Sequence, residues 1–328
     1  MKWQCGYRFA FVPASLFALG MVLSLPVHAQ NYPAKPVRFI IPFPPGGPTD
    51  ILGRVVAQRL SEAWNVPVVA DNRPGAGGNV GTEQCVKSPP DGYTLCMLSI
   101  AQTISPSIYS KLGFDPVKDF AHVTLLATLP SLLLVHPSLP AKHVKELIAL
   151  AKIRPGALNY ASGGSGTSSQ LLMELFKLQA GINIVHIPYK GTGPALTDQI
   201  SGLIEVAFST IIAARPYSQA GRLRAIAVST RQRFPQLPEI PTVDESGLKG
   251  FDGGSWQGAI MPAGTPREIV IKTSAELAKM LKSSDMKEKI LAMGGITLGN
   301  SPDEFAAYTK AEIAKWAKVV KAAGIRGE

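Results

Sequence analysis

Short apolar runs alternate with amphipathic segments along most of this 328-residue chain. Val37–Phe43, Val66–Ala70 and Tyr93–Leu98 are apolar runs of strand length, and each is bounded by residues that favour turns. Between the first two runs, apolar side chains from Leu52 to Trp64 recur at helical spacing. Strand, turn and helix therefore alternate with short connections, which predicts an α/β fold with a largely parallel sheet.

The same alternation repeats in the middle of the chain. Leu132–Val135 and Leu158–Ala161 have the composition of strands, and His143–Lys152 between them has a helical pattern. Further strands are predicted at Asn183–Ile187, Ile204–Phe208 and Arg224–Val228. Because the length of the chain favours about two domains, we interpret the two runs of elements as two α/β domains.

The composition changes near Phe234–Pro241, which is rich in proline and polar residues and indicates a crossing between the domains. After Trp256 the chain is predicted to be helical, with Phe305, Trp316 and Val320 on one face of the last helix. No segment after the N-terminal one reaches 18 apolar residues, so the pattern predicts no further membrane-spanning helix.

The N-terminal segment has the pattern of a secretory signal. Lys2 and Arg8 precede or adjoin an apolar run over Phe9–Val27, and Val27-His28-Ala29 supplies small residues at the positions that signal peptidase requires. The run is nearly long enough to span a bilayer, so a single membrane anchor is the alternative. Its helix breakers and the cleavage site favour a cleaved signal peptide over residues 1–29, and hence export.

The charge of the chain changes once this signal is set aside. The formal net charge is +10, and loss of Lys2 and Arg8 leaves +8. The lysines between Lys310 and Lys321 fall on the solvent face of the last predicted helix, so they are expected to be a solvated surface. An exported chain without a clustered basic and aromatic patch is not expected to bind nucleic acid.

Cysteine is sparse in this sequence. Cys5 lies in the predicted signal, which leaves Cys85 in a predicted helix and Cys96 in the strand after the next turn. A helix folded back on its strand would bring the two sulfur atoms together, so a disulfide between Cys85 and Cys96 is one expectation in an oxidising compartment. Two buried thiols packed as small hydrophobic residues are the other.

Two glycine-rich turns are the candidate binding elements. Pro44–Asp50 and Ser162–Ser168 each connect a predicted strand to a predicted helix, one in each domain. In open α/β sheets, ligands bind beyond the carboxyl ends of the strands, where the next helix directs unpaired N–H groups and the positive end of its dipole. Glycine lets an anion approach the backbone closely, so two such turns across a cleft would each bind one carboxylate. The alternative is that both are only tight strand-to-helix connections.

The motifs of enzymes and metal sites fail at specific positions. Gly163–Thr167 resembles the G-x-S-x-G nucleophile elbow, but Thr167 replaces its last glycine. The histidines lack metal-ligand spacing such as H-E-x-x-H, and no glycine turn carries a P-loop lysine, so we predict neither a metal nor a cofactor. Ser165 leaves a secreted hydrolase as an alternative, while His186 is expected to be a packed or hydrogen-bonded histidine.

Five segments carry a family resemblance, in this order along the chain: Tyr32–Asp50, Asn72–Gly78, Pro89–Leu95, Pro188–Ala195 and Pro262–Pro266. Each motif is weak alone, but the set is jointly specific and spans essentially the whole chain after the predicted signal. On these residues the chain resembles the Bug family, the solute receptors of tripartite tricarboxylate transporters.

The resemblance implies a type II periplasmic-binding-protein fold, in which two α/β lobes form a Venus flytrap with a ligand cleft between them. It implies a first lobe of residues 30–130 and 242–328 and a second lobe of residues 131–241. It also implies that the chain binds a small carboxylate without turnover, lies in the periplasm, is a monomer and has membrane permease subunits as partners. A sensory receptor of the same fold, which signals to a two-component system, is the alternative.

The resemblance also places ligand contacts on the glycine turns and on the turn after Pro188. In this chain those positions are Pro45, Gly46, Gly47, Thr49, Asp50, Ser165, Gly166, Thr167, Ser168, Tyr189, Gly191 and Ala195. Ser209 is a further candidate and a departure, because many relatives have an aspartate there that can pair with a ligand ammonium. Its hydroxyl disfavours an amino-acid ligand and leaves organic mono-, di- and tricarboxylates, including aromatic acids.

Overall fold

The computed structural model describes residues 1–4, 6, 32–164, 166–189 and 191–325, except for the side chain of Pro48. Most of the predicted signal peptide and Ser165 therefore lie outside the described residues. The chain divides into two units, Met1–Tyr32 and Pro33–Glu328. Residues 1–4 and 6 of the first unit are exposed and have no regular secondary structure. In the part of the chain that is described, no helix is long and apolar enough to cross a membrane.

The second unit alternates strands and helices from Val37 onward. Its strands are β1 (Val37–Ile41), β2 (Val68–Asn72), β3 (Thr94–Ser99), β4 (Phe120–Leu129), β5 (Ser131–Val135), β6 (Asn159–Ser162), β7 (Val185–Pro188), β8 (Val206–Thr210), β9 (Arg224–Val228), β10 (Ser255–Pro262) and β11 (Ile296–Thr297). Its helices are α1 (Pro48–Trp64), α2 (Asn79–Val86), α3 (Ile100–Ile108), α4 (Val144–Ile153), α5 (Ser168–Ala180), α6 (Thr192–Ser201), α7 (Ile211–Gln219), α8 (Arg267–Lys282), α9 (Ser284–Ala292) and α10 (Pro302–Ala323).

The first sheet has six strands in the order β11-β4-β10-β3-β1-β2. β1 pairs in parallel with β2 and β3. β10 runs antiparallel to both of its neighbours, β3 and β4, and β11 runs antiparallel to β4. The prediction of a largely parallel sheet is therefore wrong here, because the chain re-enters the middle of this sheet in the opposite direction as β10.

The strand β10 lies where the sequence pattern predicted helical chain. All of its residues after Ser255 are buried, so apolar and polar positions do not alternate along it. Gly258 accommodates the ring of Phe305, which a side chain at this position would collide with. The prediction of a helix directly after Trp256 is therefore wrong, and helical chain resumes only at Arg267, where α8 begins.

The second sheet has five strands in the order β7-β6-β8-β5-β9. β6 pairs in parallel with β7 and β8, whereas β5 runs antiparallel to β8 and β9. This sheet is thus also mixed rather than largely parallel. The helices α4 to α7 connect its strands, so each sheet forms one α/β lobe with its own helices.

The chain passes between the two sheets at two described places. β4 leads directly into β5 across Pro130, and the segment after β9 returns to the first sheet through Gly253. Val243 N–H donates to Val228 O, and Gly253 N–H donates to the loop that follows β9. These bonds hold the segment between β9 and Gly253 against the second sheet. They therefore favour a return of the chain to the first sheet near Gly253. The lobe boundary at residue 241 stays a prediction.

The last helix packs against both lobes. α10 contacts α3 and β4 of the first lobe and α5 of the second. Within it, Glu312 is only 4% exposed, and its Oε2 accepts hydrogen bonds from the indoles of Trp256 at 3.0 Å and Trp316 at 2.8 Å. Lys315 forms an ion pair with the other carboxylate oxygen of Glu312. A buried carboxylate therefore connects the central strand β10 to α10.

Cys85 in α2 and Cys96 in β3 form a disulfide, and 6.4 Å separates their Cα atoms. Both residues are buried where α2 packs on β3. The structure thus has the first of the two arrangements expected from the sequence, a helix bonded to the strand that follows it.

Candidate functional site

A cavity of about 440 Å³ lies between the two sheets. It is open where strands of both sheets end and where their connecting helices begin, which is where α/β folds bind ligands. The residues that line it are Phe43, Thr49, Gly77, Ser99, Ile100, Ala101, Leu129, Ser131, Gly163, Gly166, Thr167, Ser168, Ser169, Gly191, Thr192, Phe208, Ser209, Thr210, Ser255 and Gln257.

Five helices begin at this cavity. The first turns of α1, α3, α5 and α6, and the residue before α7, contribute to its lining. Ser99 and Gln102 form a capping box on α3, whereas α1, α5, α6 and α7 have no side-chain cap. The first turns of these four helices therefore keep backbone N–H donors, and the positive ends of their dipoles point toward one cavity.

Among the described residues, the lining carries no charged side chain. Its apolar part comes from Phe43, Ile100, Leu129 and Phe208, and most of the remaining side chains carry hydroxyl groups. An anion in this cavity would therefore be stabilised by N–H and hydroxyl donors and by helix dipoles rather than by an ion pair.

Asp50 stabilises the first turn and does not line the cavity. Its side chain is almost fully buried, and it accepts hydrogen bonds from Gly46 N–H at 2.9 Å, Asn72 Nδ2 at 2.8 Å and Arg54 Nε at 2.9 Å. Burial alone would raise the pKa of the Asp50 carboxyl, but the hydrogen bonds from Arg54, Gly46 and Asn72 outweigh it and lower that pKa below the ordinary 3.8. The charge of Asp50 thus fixes the conformation of the turn.

A histidine stabilises the second turn through a glutamine. Gln170 Oε1 accepts the N–H of Gly166 at 2.7 Å, so its amide nitrogen faces His186 Nδ1 at 3.2 Å. This assigns the imidazole proton to Nε2, which lies 2.6 Å from Ser162 Oγ. The ring of His186 therefore connects two positions of the turn by hydrogen bonds while it is neutral.

The surroundings of His186 favour that neutral form. Tyr160 stacks on the ring with 4.7 Å between centroids. Burial lowers the pKa of His186 below the ordinary 6.5; the nearby Glu174 opposes this shift and Lys177 adds to it. The sequence-based expectation of a hydrogen-bonded histidine agrees with this geometry.

Of the described residues in the third turn, after β7, Gly191 contributes to the cavity. Tyr189 Oη donates to Asp198 Oδ2 at 2.7 Å, and burial together with this bond raises the pKa of Tyr189 to about 12. Ala195 is buried inside α6. Gly191 lines the cavity, and its N–H donates to Gly163 O at 3.1 Å, which joins the third turn to the second.

The structure brings six of the predicted ligand-binding residues to the cavity. They are Thr49, Gly166, Thr167, Ser168, Gly191 and Ser209. Six others are described but lie outside its lining: Pro45, Gly46, Gly47, Asp50, Tyr189 and Ala195. Ser165 lies outside the described residues. Ligand binding by any of these residues stays a prediction.

Sequence reasoning missed the part of the lining that comes from strand ends. Leu129 and Ser131 flank the first passage between the sheets, and Ser255 and Gln257 begin the central strand β10. Local turn chemistry does not mark these positions. Phe43 had a usable signal, since it directly precedes the first glycine turn.

Residues 52–325 match the family model of the tripartite tricarboxylate transporter family receptor. BugT of Bordetella pertussis is 35% identical over 306 residues, which cover 93% of this chain and 94% of BugT.

Solved structures show the same fold. Rpa4515 of R. palustris, solved with adipate, is 38% identical with a TM-score of 0.77, over 90% of this chain and 99% of that protein. The periplasmic binding protein BugD is 32% identical with a TM-score of 0.73, over 90% of this chain and 100% of BugD. These similarities confirm the predicted fold class, two α/β lobes with a cleft between them.

Proposed function

Because the chain belongs to the receptor family of tripartite tricarboxylate transporters, as its resemblance to Bug proteins indicated, we propose that it captures a small organic carboxylate in the cavity between its lobes. It then delivers this ligand to the membrane subunits of a tripartite transporter. One observation carries the proposal: four helices without side-chain caps begin at a cavity whose described lining is uncharged. Rpa4515, solved with adipate, supports the carboxylate class.

The carboxylate binds to donors of both lobes. α1 belongs to the first lobe and α5, α6 and α7 to the second, so an anion among their first turns contacts both. Each helix end favours a negative charge by a few tenths to about 1 kcal/mol, and a cavity shielded from water strengthens this effect. Ligand contacts on both lobes exist together only when the lobes are closed, so binding shifts the population toward the closed state.

The chain acts by binding rather than by turnover. Ser162 is hydrogen-bonded to His186, but it is buried, and His186 Nδ1 faces the amide of Gln170 instead of a carboxylate. The pair therefore lacks the third group that orients the base in a serine hydrolase. The receptor family supports the same conclusion. A hydrolase that uses Ser165 would lose ester hydrolysis in Ser165→Ala.

Family membership supports the location and the partners that belong to this proposal. The receptor is exported to the periplasm with cleavage of residues 1–29, works as a monomer and contacts membrane permease subunits. Ser209 at the end of β8 provides a hydroxyl where a carboxylate would be needed to bind a ligand ammonium. This departure disfavours amino acids as ligands.

A thermal-shift panel of carboxylates tests the proposal. The purified chain is heated with mono-, di- and aromatic carboxylates and with the corresponding uncharged amides. A carboxylate present at 100 times its dissociation constant should add about 2.7 kcal/mol to the free energy of unfolding. The amides should have little effect, since helix ends favour a negative charge. Stabilisation by amino acids alone, or by amides as strongly as by acids, would contradict the proposed function.

A further inference from the structure

The ring of Phe43 supplies most of the large apolar surface that a ligand in the cavity would meet. The other large apolar side chains of the described lining are almost fully buried: Ile100 is 5% exposed, Leu129 4% and Phe208 2%. Phe43 is only half-buried. It lies in the first lobe, between the end of β1 and the first glycine turn.

The position of Phe43 is fixed by its own lobe. Its carbonyl oxygen accepts a hydrogen bond from Asn72 Nδ2 at 3.0 Å. Its ring packs on the backbone of Gly78, where an added Cβ atom would lie 3.1 Å from Phe43 Cζ. Gly78 also has a φ of +97°, a conformation that favours glycine. The ring is therefore in place before a ligand binds, which lowers the entropic cost of packing against it.

Gly77 and Ala101 extend the apolar surface of Phe43. Both line the cavity; Gly77 is exposed and Ala101 is half-buried. The N–H of Ala101 donates to Ser99 Oγ at 3.3 Å, and the N–H of Ser99 donates to Gln102 Oε1 at 2.9 Å. Because this capping box satisfies N–H groups at the start of α3, Ala101 adds a methyl group to the lining rather than a free donor. Phe43, Gly77 and Ala101 together form an apolar wall.

The lining from the second lobe has the opposite character. Its half-buried or exposed side chains carry hydroxyl groups, at Thr167, Ser168, Thr192 and Thr210. These residues lie at the start of α5, α6 and α7, which have no side-chain caps. The cavity is therefore amphipathic, with donors for an anion at the first turns of these helices and of α1, and with the apolar wall in the first lobe.

A ligand with one carboxylate and a flat apolar body matches both parts of the cavity. A second carboxylate at the apolar wall would leave water without a cationic partner, since the described lining is uncharged and Ser255 and Gln257 of β10 supply only neutral groups. We propose that the ligand is an aromatic monocarboxylate: its carboxylate binds at the helix N-termini, its ring stacks on Phe43, and Phe43 determines this specificity. This inference rests on the proposed function and names its substrate class.

Calorimetric titration with matched acids tests this substrate class. Each aromatic acid is paired with its saturated counterpart, benzoate with cyclohexanecarboxylate and phenylacetate with cyclohexylacetate, and the dicarboxylates are terephthalate and adipate. In at least one pair the aromatic acid should bind about three- to tenfold tighter than its saturated counterpart, because a flat ring stacks on Phe43. The same acid should bind at least about tenfold tighter than either dicarboxylate.

Substitution of Phe43 assigns this preference to its ring. In Phe43→Leu the advantage of the aromatic acid should fall below about twofold, while the saturated acid keeps its affinity within about threefold, because leucine is apolar but cannot stack. The retained affinity also shows that the variant is folded. Phe43→Met removes the ring in a second way and should have the same effect. Tyr217→Leu is the matched control, since it removes a half-buried aromatic side chain of α7 that is not among the described lining residues, and it should keep the full preference.

The outcomes separate this inference from the proposed function. If carboxylates bind but neither pair shows a preference for the aromatic acid, the aromatic monocarboxylate is wrong and the receptor proposal stands. The same holds if a dicarboxylate binds tightest, or if Phe43→Leu and Phe43→Met both keep the preference. If the chain binds no acid of this set or of the thermal-shift panel, both proposals fail.

Discussion

Asp50 influences the cavity through the backbone that it bonds. Its carboxylate accepts hydrogen bonds from Gly46, Asn72 and Arg54, and it is almost fully buried. The ligand would meet Thr49 beside it but not Asp50 itself. Under the proposed function, an acidic residue beside the anion would therefore support binding, because the charge of Asp50 is compensated by Arg54 and its side chain does not line the cavity.

Asp50→Asn should destabilise the fold and weaken ligand binding. Asparagine keeps the shape, but it loses the charge and directs an amide nitrogen at one of the three donors. We expect a loss of about 1–3 kcal/mol in the free energy of unfolding by urea at neutral pH. The pKa of Asp50 is lower in the folded chain than in the unfolded chain. Its contribution to the free energy of unfolding is therefore present above about pH 4 and is lost as the pH falls through the pKa of the folded chain.

Asp303→Asn is the matched control for this prediction. Asp303 also pairs with an arginine, Arg267, but both side chains are largely exposed. Exposed ion pairs contribute about 0–1 kcal/mol, so this variant should stay near the wild-type stability. Equal effects of Asp50→Asn and Asp303→Asn would contradict the role assigned to the first turn.

His122 makes the fold sensitive to acid. Its ring contacts Phe120 and Phe305, and its Nε2 has no partner among the described residues. Burial, with the charge of Lys310, lowers the pKa of His122 from 6.5 to about 4. In the unfolded chain, His122 therefore binds a proton near pH 6.5, whereas in the folded chain it binds one only near pH 4. The contribution of neutral His122 to the free energy of unfolding is fully present above pH 6.5. As the pH falls from 6.5 toward 4, the free energy of unfolding decreases by about 3 kcal/mol because of this residue.

His122→Leu should remove this part of the acid sensitivity. Between pH 7 and pH 4.5, the free energy of unfolding should decrease by about 2 kcal/mol less in the variant than in the wild type. Urea unfolding at the two pH values measures this difference. The substitution can lower stability at both pH values by altered packing, so only the pH-dependent part bears on the prediction. An identical pH dependence would show that His122 does not titrate between the two states.

At the scale of elements, the sequence was informative wherever the chemistry is local. Pro44–Asp50 precedes α1 and Ser162–Ser168 leads into α5, because turn residues and helix spacing lie next to each other in the chain. β10 was not predictable in this way. It is buried on both faces, so it lacks the alternation that marks a half-exposed strand, and its pairing with β3 and β4 connects distant segments.

The same distinction explains the candidate site. Thr49, the Gly166–Ser168 segment and Gly191 lie in turns that the sequence marks, and they line the cavity. Gln257 lines it only because β10 is inserted in the middle of the first sheet. A residue of this kind becomes part of the site through tertiary pairing, which a single sequence does not display.

Glu312→Ala should disrupt the contact between β10 and α10. The buried carboxylate accepts the indole N–H groups of Trp256 and Trp316, and alanine leaves both donors unpaired. We expect a loss of about 2–5 kcal/mol in the free energy of unfolding and a shift of the tryptophan emission. Glu288→Ala on the exposed face of α9 is the control and should change stability by less than about 0.5 kcal/mol. A change of that small size in Glu312→Ala would contradict the structural role of this carboxylate.

At the scale of the whole molecule, two lobes share one cavity and one helix. The lining draws on both sheets, and α10 packs against α3 and β4 on one side and α5 on the other. The sequence predicted two α/β domains from repeated patterns, but the assignment of the last segment to the first lobe came from the family resemblance. The hydrogen bonds of Val243 and Gly253 show why composition alone was insufficient: the proline-rich segment near residue 241 is still bonded to the second sheet.

The uncharged lining has a consequence for unloading. Under the proposed function, an anion shared between α1 and the helices of the second lobe would lose the donors of one side in a single movement when the lobes separate. No described lining side chain has to release a proton or take up a counterion at that moment. Under the proposed function, release of the ligand would therefore require opening of the lobes but no titration of a described lining side chain, and it should change little with pH wherever the fold is stable.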